Sequence, residues 1–287
     1  MAFDTIRLLV KYLPVILQFA SQLLVQRVRA VIHRFTYVQT TNPKHVIVIG
    51  GSFAGIHLGK RLAETLHSGY KVILVERNSH FNYTFNFPRY SVVRGREGKA
   101  FIPYDGIEKG KPKGAFEFVS GAVIEIRDTD ILMEDGRTIE YEFLAIATGV
   151  TQSPPAKLLG TQKHEACSEL QALQDRIFDS KTIAIVGAGA VGVQLACDIK
   201  TFYPDKSVTL IHSRKQLLPS WGYKLHAYVL EKLQELKIEV LLGERPKLTP
   251  VSNWQAEELS FSDGSKRRFD LIVSLSDSSL RAFDSCG

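Results

Sequence analysis

Two stretches of this chain run a short β-branched segment directly into closely spaced glycines and then into a helical pattern. HVIVI at 45–49 leads into Gly50-Gly51-Ser52-Phe53-Ala54-Gly55 and IHLGKRLAETLH. TIAIV at 182–186 leads into Gly187-Ala188-Gly189-Ala190-Val191-Gly192 and VQLACDIKTF. Strand, glycine turn and helix in this order constrain the fold more than any other feature. The first glycine makes the tight turn, the second lets a pyrophosphate approach the backbone, and the third lets helix and strand pack closely. All three positions are glycine in the second copy. In the first, Ser52 holds the middle position, where a small hydroxyl can donate a hydrogen bond while its Cβ narrows the gap.

The strands that follow differ in a way that bears on ligand choice. KVILVE ends at Glu76, where a carboxylate can accept hydrogen bonds from an adenosine ribose. SVTLIHS ends instead at His212 and Ser213, followed by Arg214 and Lys215. Without the acid nothing repels a ribose 2′-phosphate, and Arg214 can pair with one, which admits NADPH. The alternative is a solvated surface arginine. His212 is read either as a contact to a ribose hydroxyl or as a strand-end surface histidine.

A second pattern is duplicated. Asp135-Gly136 precedes RTIE and YEFLAIATG, and Asp263-Gly264 precedes SKRR and FDLIVSLSD. Each Asp-Gly predicts a hairpin turn that sends a strand back to its parent sheet. The chain therefore reads as a duplicated unit that binds two nucleotides. Between Glu76 and the first hairpin, Phe81, Tyr83, Phe85, Phe87 and Tyr90 crowd around Pro88 and Arg89. Such a stretch either fills a core or packs on a flavin, with Arg89 meeting the flavin or a phosphate.

Charge separates the N-terminus from the rest. Six of the Lys and Arg residues against one Asp fall in 1–44, so most of the net charge of +6 belongs there and nucleic acid is not implied as a partner. Arg7, Lys11, Arg27, Arg29 and Arg34 flank YLPVILQFASQLLVQ at 12–26, whose apolar residues recur at helical spacing. Fifteen uncharged residues fall short of the about 20 that span a bilayer, so the expectation is a basic amphipathic helix lying on a membrane surface or serving as a mitochondrial presequence. Packing on its own domain or on a second subunit is the alternative. Cys167, Cys197 and Cys286 share no CxxC spacing, and the histidines form no HxxxH or HxH pair. A reducing, intracellular setting follows, on the cytoplasmic side of a membrane or in mitochondria, with no metal.

Taken together, VIVIGGSFAG, FNFPRYSVVRG, YEFLAIATG, VGAGAVGVQLACDIKTFYPDKSVTLIHS and KIEVLLGERP resemble the two-dinucleotide-binding-domain flavoproteins. The similarity is greatest to their apoptosis-inducing-factor-homologous (AMID-like) branch, relatives of the type II NADH:quinone oxidoreductases. The resemblance implies an α/β fold with two Rossmann-like FAD/NAD(P)-binding domains, each with a small β-meander, after the N-terminal helix. The expected boundaries are 1–43 for the basic segment, 44–150 for the FAD domain, 151–180 for a linker and helix, 181–277 for the NAD(P)H domain and 278–287 for a polar tail.

By the same resemblance, Gly50, Gly51, Ser52, Phe53, Ala54 and Gly55 would hold the FAD pyrophosphate and Glu76 its ribose. Arg89 would reach the flavin end, Val123 would meet the adenine through its backbone, and Thr148 and Gly149 would line the same cofactor. Gly187, Gly189 and Gly192 would cradle NAD(P)H, with His212 and Arg214 at its ribose. No dedicated catalytic residue is expected; Gln194 stands where many relatives carry a glutamate that helps place the nicotinamide. The implied function is hydride transfer from NAD(P)H to FAD and on to a small, lipid-soluble, quinone-like acceptor. Leu275-Ser276-Asp277 replace the second Ala-Thr-Gly, and relatives continue to a Gly-Asp half-site for the flavin. The chain is accordingly read as C-terminally truncated, and the alternative function is a catalytically silent NAD(P)-binding sensor or partner protein.

Overall fold

A computed structural model describes residues 2–150, 152–246 and 257–275. It contains two compact units, Met1–Asn78 with Tyr104–Thr148, and Ser79–Pro103 with Gly149–Gly287.

The first unit begins with one long helix, α1 (Ala2–Thr36), then β1 (Lys44–Ile49), α2 (Phe53–Ala63) and β2 (Tyr70–Glu76). The chain then leaves for the second unit through β3 (His80–Asn82), the single turn α3 (Phe87–Tyr90) and β4 (Phe101–Pro103). It returns as β5 (Phe116–Ser120), β6 (Val123–Ile126), β7 (Asp130–Met133), β8 (Thr138–Glu140) and β9 (Phe143–Ile146). The main sheet has the order β5-β2-β1-β9 with every pairing parallel; Ile49 lies opposite both Val75 and Ile146. A parallel sheet is covered on both faces, so its central strands are nearly all apolar. On one face Ile47, Ile73, Val75 and Val119 pack with Ile131 and Met133 of the β6-β7-β8 meander. On the other, Val48, Val72 and Leu74 pack with Ala63 of α2 and with Phe116.

The second unit repeats this plan. Its main elements are α4 (Lys163–Asp179), β10 (Thr182–Val186), α5 (Ala190–Phe202), β11 (Ser207–His212), α6 (Tyr223–Glu235), β12 (Glu239–Leu242), β13 (Glu257–Ser260), β14 (Lys266–Phe269) and β15 (Leu271–Ser274). The sheet order β12-β11-β10-β15, again all parallel, mirrors that of the first unit. Both Asp-Gly pairs form the turns expected of them. Gly136 and Gly264 adopt φ of +84° and +81°, and the aspartates accept from the amides of Arg137 (3.1 Å) and Ser265 (2.8 Å).

Two expectations need correction. The 44–150 boundary assigned the aromatic stretch to the first domain. Instead, Phe87, Ala100 and Phe101 bury their side chains against Leu158, Ala166 and Leu170, and the Gln174 Nε2 of α4 donates to the Tyr90 carbonyl at 2.6 Å. Burial against α4 carries Ser79–Pro103 into the second unit, and the 151–180 segment belongs to that unit as well. The second correction concerns α1, whose span Ile6–Thr36 is long and apolar enough to cross a membrane by length and composition, with none of it buried. Counting between charges understated it: Lys11 alone interrupts the stretch from Leu8 to Gln26, and a lysine stem can carry its charge to a membrane interface. The helix joins its unit through another side. Gln26, Ala30 and His33 are half-buried, His33 Nε2 bonds the Leu66 carbonyl at 2.5 Å, and the Tyr37 hydroxyl donates to the Tyr70 carbonyl at 2.8 Å. Ser276, Asp277, Cys286 and the 278–287 tail lie outside the described residues.

Candidate functional site

Each glycine loop closes over the end of its sheet in the same way. Gly50 has φ +106°, and a Cβ there would lie 2.5 Å from the Ala147 carbonyl oxygen, where the chain continues past β9. Gly187 has φ +117°, and its Cβ would lie 3.3 Å from Leu275, the matching position past β15. The third glycines are stricter still. A Cβ on Gly55 would fall 1.7 Å from the Gly50 carbonyl oxygen, and one on Gly192 1.8 Å from that of Gly187. Only hydrogen at these positions lets the first helical turn sit against the loop, which leaves the unpaired amides at the starts of α2 and α5 for an anion. Neither helix carries an acid in its first turn to compete. The residues therefore fit the pyrophosphate of a dinucleotide in both units.

Ser52 and Gly189 hold the N-cap positions with extended backbone, and the Ser52 hydroxyl makes no capping bond. Ser52, Phe53 and Ala54 are exposed at the loop, so the serine Cβ does not close it. Glu76, 7% exposed, ends β2 directly beside Gly51. One carboxylate oxygen accepts the Gly51 amide; the other accepts the Asn78 amide at 2.8 Å and its side-chain Nδ2 at 2.5 Å. Three donors hold the buried charge in place.

Sequence patterns did not single out Tyr104. Its hydroxyl donates to the Gly51 carbonyl at 2.6 Å, and its ring stacks on Phe118 with centroids 4.6 Å apart. Burial first, and then the charge of Glu76, push the phenol well above its usual pKa, so it stays a donor. No local motif marks this tyrosine. The chain's return from the Ser79–Pro103 excursion puts it there.

In the second unit the place of Glu76 is taken by His212. The amide of buried Ala188, the counterpart of Gly51, donates to His212 Nδ1 at 3.3 Å. The other ring nitrogen, Nε2, is buried and has no hydrogen-bond partner among the described residues. Desolvation, and then the nearby Arg214 charge, hold the imidazole below its ordinary pKa. Arg214 is exposed two residues further on, and Gln194 is half-buried on the first turns of α5.

The remaining expected residues are distributed less simply. Val123 opens β6 opposite Met133, just after Gly121, whose amide donates to the Glu76 carbonyl at 2.9 Å. Thr148 follows Ala147 alongside Gly50, and Gly149 has φ +71°. Arg89 has a protein partner: Nη2 lies 2.8 Å from Asp198 Oδ1 and Nε 3.4 Å from Oδ2. Asp198 is on α5, so this pair secures α3 to α5 within the second unit, and the first glycine loop takes no part in it. Among the described residues, no cluster of His, Cys, Asp and Glu could hold a metal ion.

A family model described as pyridine nucleotide-disulphide oxidoreductase matches residues 44–275. Fe-regulated protein 8 of Mycosarcoma maydis is 34% identical over 257 residues, covering 82% of this chain and 64% of that protein. Ferroptosis suppressor protein 1 of Homo sapiens is 33% identical over 229 residues, covering 76% of this chain and 56% of that protein. The chain thus spans little more than half to under two thirds of the length of these relatives. Among solved structures, the sulfide:quinone oxidoreductase from Aquifex aeolicus matches with a TM-score of 0.61 at 19% identity, covering 81% of this chain and 58% of that one, which shows a shared fold.

Proposed function

The chain belongs to the pyridine nucleotide-disulphide oxidoreductase family, flavin-dependent enzymes that use FAD and NAD(P)H, and from that premise we propose that it is an FAD-dependent NAD(P)H oxidoreductase passing electrons to a quinone-like acceptor. The observation that carries this reading is the pair of glycine loops on sheets of the same order, one closed by a carboxylate and the other by an imidazole. In this reading the first unit takes FAD and the second NAD(P)H.

The chemistry that a flavin would supply when bound is redox transfer between the nicotinamide and the acceptor. The protein's own residues bind and orient. Gly50 to Gly55 and the start of α2 receive one pyrophosphate, Glu76 fixes the loop amide and presents its carboxylate at the ribose, and Tyr104 holds the Gly51 carbonyl. Thr148, Gly149 and the backbone at Val123 border the same cofactor. Gly187, Gly189 and Gly192 with α5 receive the second pyrophosphate, and Gln194 helps place the nicotinamide.

An apolar acceptor is supported by α1. Leu9, Leu13, Ile16, Phe19 and Leu24 are all exposed, with basic residues toward both ends of the run. Such a helix gains by burying its apolar surface in lipid while its arginines meet anionic headgroups. Fusing residues 1–40 to a soluble reporter should recruit it to membranes; a reporter that stays dispersed removes the membrane from the proposal.

The decisive experiment is a visible absorbance spectrum of the purified chain, before and after anaerobic NADH or NADPH. Flavin bands that bleach support the oxidoreductase. A protein that stays colourless after incubation with FAD, yet melts at a higher temperature with NAD(P)H, supports the silent binding protein instead.

A further inference from the structure

The two units offer an internal comparison at one position. β2 and β11 each pair in parallel with the strand that precedes a glycine loop, and each ends in a side chain that accepts a hydrogen bond from the loop's second residue. Glu76 and His212 are structural counterparts that differ in chemistry. A carboxylate only accepts, so it pairs with ribose hydroxyls and repels a phosphate. A neutral imidazole that accepts at Nδ1 must carry its proton on Nε2, which makes it a donor there.

We propose that the second unit selects the 2′-phosphorylated dinucleotide, NADPH, over NADH, with His212 Nε2–H donating to the adenosine ribose or its 2′-phosphate and Arg214 neutralising that phosphate. This rests on the reading of the second unit as the NAD(P)H site. The Nε2 atom is buried and unpartnered among the described residues, a state that folded proteins rarely tolerate without a ligand or water to satisfy it. Its tautomer is set by the Ala188 amide. Low basicity, from burial and from Arg214, keeps the ring neutral at pH 7. Arg214 is exposed, and residues 212–215 read His-Ser-Arg-Lys with no acid among them. Glu244, whose amide donates to the His212 carbonyl at 3.0 Å, has its carboxylate engaged by the Ser262 amide at 3.1 Å and hydroxyl at 2.6 Å.

The test uses probes without a nicotinamide, so it does not depend on flavin or on turnover. Adenosine 2′,5′-bisphosphate and AMP are titrated calorimetrically into the full chain, alongside NADPH and NADH. The expected result is at least about tenfold tighter binding of the 2′-phosphorylated member of each pair, the scale of one charge-assisted contact. Arg214→Ala should abolish most of that ratio while leaving the melting temperature unchanged, because the side chain is exposed. His212→Glu should reverse the preference, and His212→Gln, which keeps a donor, should retain part of it. Equal affinities, or a preference that survives Arg214→Ala, overturn the selectivity and leave the second unit a dinucleotide site. Failure of all four ligands to bind overturns the reading of the site and the proposal with it.

Discussion

Gly51 and Glu76, 25 positions apart in sequence, are joined by a hydrogen bond from the loop amide to the buried carboxylate, so the residue that would hold a ribose also fixes the shape of the loop that would hold the phosphates. Glu76→Ala leaves the Gly51 and Asn78 amides without their acceptor, at a cost of about 1–3 kcal/mol for each buried donor that finds no water. We expect a lower urea midpoint and weaker FAD binding, with Glu76→Gln intermediate because one oxygen remains. Denaturation and FAD titration of the same samples test this; a Glu76→Ala protein with unchanged midpoint and FAD affinity contradicts the dual role.

Gly55→Ala and Gly192→Ala each place a methyl carbon within 2 Å of a loop carbonyl oxygen and must displace the loop. Each should destabilise its own unit and abolish nucleotide binding there. Gly59, on the same helix α2, is the control, since a Cβ there meets Phe116 at 3.4 Å, an ordinary contact. Gly59→Ala should be neutral or stabilising by up to about 1 kcal/mol, the helix-propensity gain. Differential scanning calorimetry separates these outcomes.

Arg89 is largely exposed, while the Asp198 side chain it pairs with is only 6% exposed. Removing the arginine leaves a buried charge with one partner fewer, so Arg89→Ala should cost about 1–3 kcal/mol. Arg89→Lys, which cannot make both contacts, should fall between. A double-mutant cycle with Asp198→Asn measures the coupling, and a value near zero would mean that α3 is held by packing alone.

Asp270 Oδ2 accepts from the amides of Lys181 (2.9 Å) and Thr182 (2.8 Å) and from the Thr182 hydroxyl (3.0 Å), which hold its carboxyl below the usual aspartate range. The unfolded chain takes up this proton near pH about 3.9, and the folded chain only at lower pH. The bond therefore contributes fully above the unfolded value and is lost as pH falls through the folded one. Urea midpoints measured from pH 7 down to 3 should fall less steeply in Asp270→Asn than in the parent protein.

Much of the fold is legible in residues that must be what they are for local reasons. The two strand-glycine-helix runs, the two Asp-Gly turns and the runs of Val and Ile announced paired parallel sheets because turn geometry and two-sided burial act over a few residues. Gly55, Gly192 and Glu76 stood out for the same reason. Tyr104 did not, since its place over Gly51 depends on where the chain re-enters the first unit after 25 residues spent in the second. The partner of Arg89 was equally hidden, since Asp198 lies 109 positions away, and of the aromatic residues from Phe81 to Tyr90 only the structure shows that Phe87 is buried in the core that includes α4 while Phe85 stays exposed. The sequence alone determined a duplicated dinucleotide fold behind an apolar, basic helix, because periodicity and glycine spacing are local. Only the tertiary structure decided that the Ala188 amide donates to His212 as the Gly51 amide donates to Glu76, and that Nε2 is left without a partner among the described residues, because hydrogen bonds between a loop and the end of a neighbouring strand form only once the sheet has brought them together.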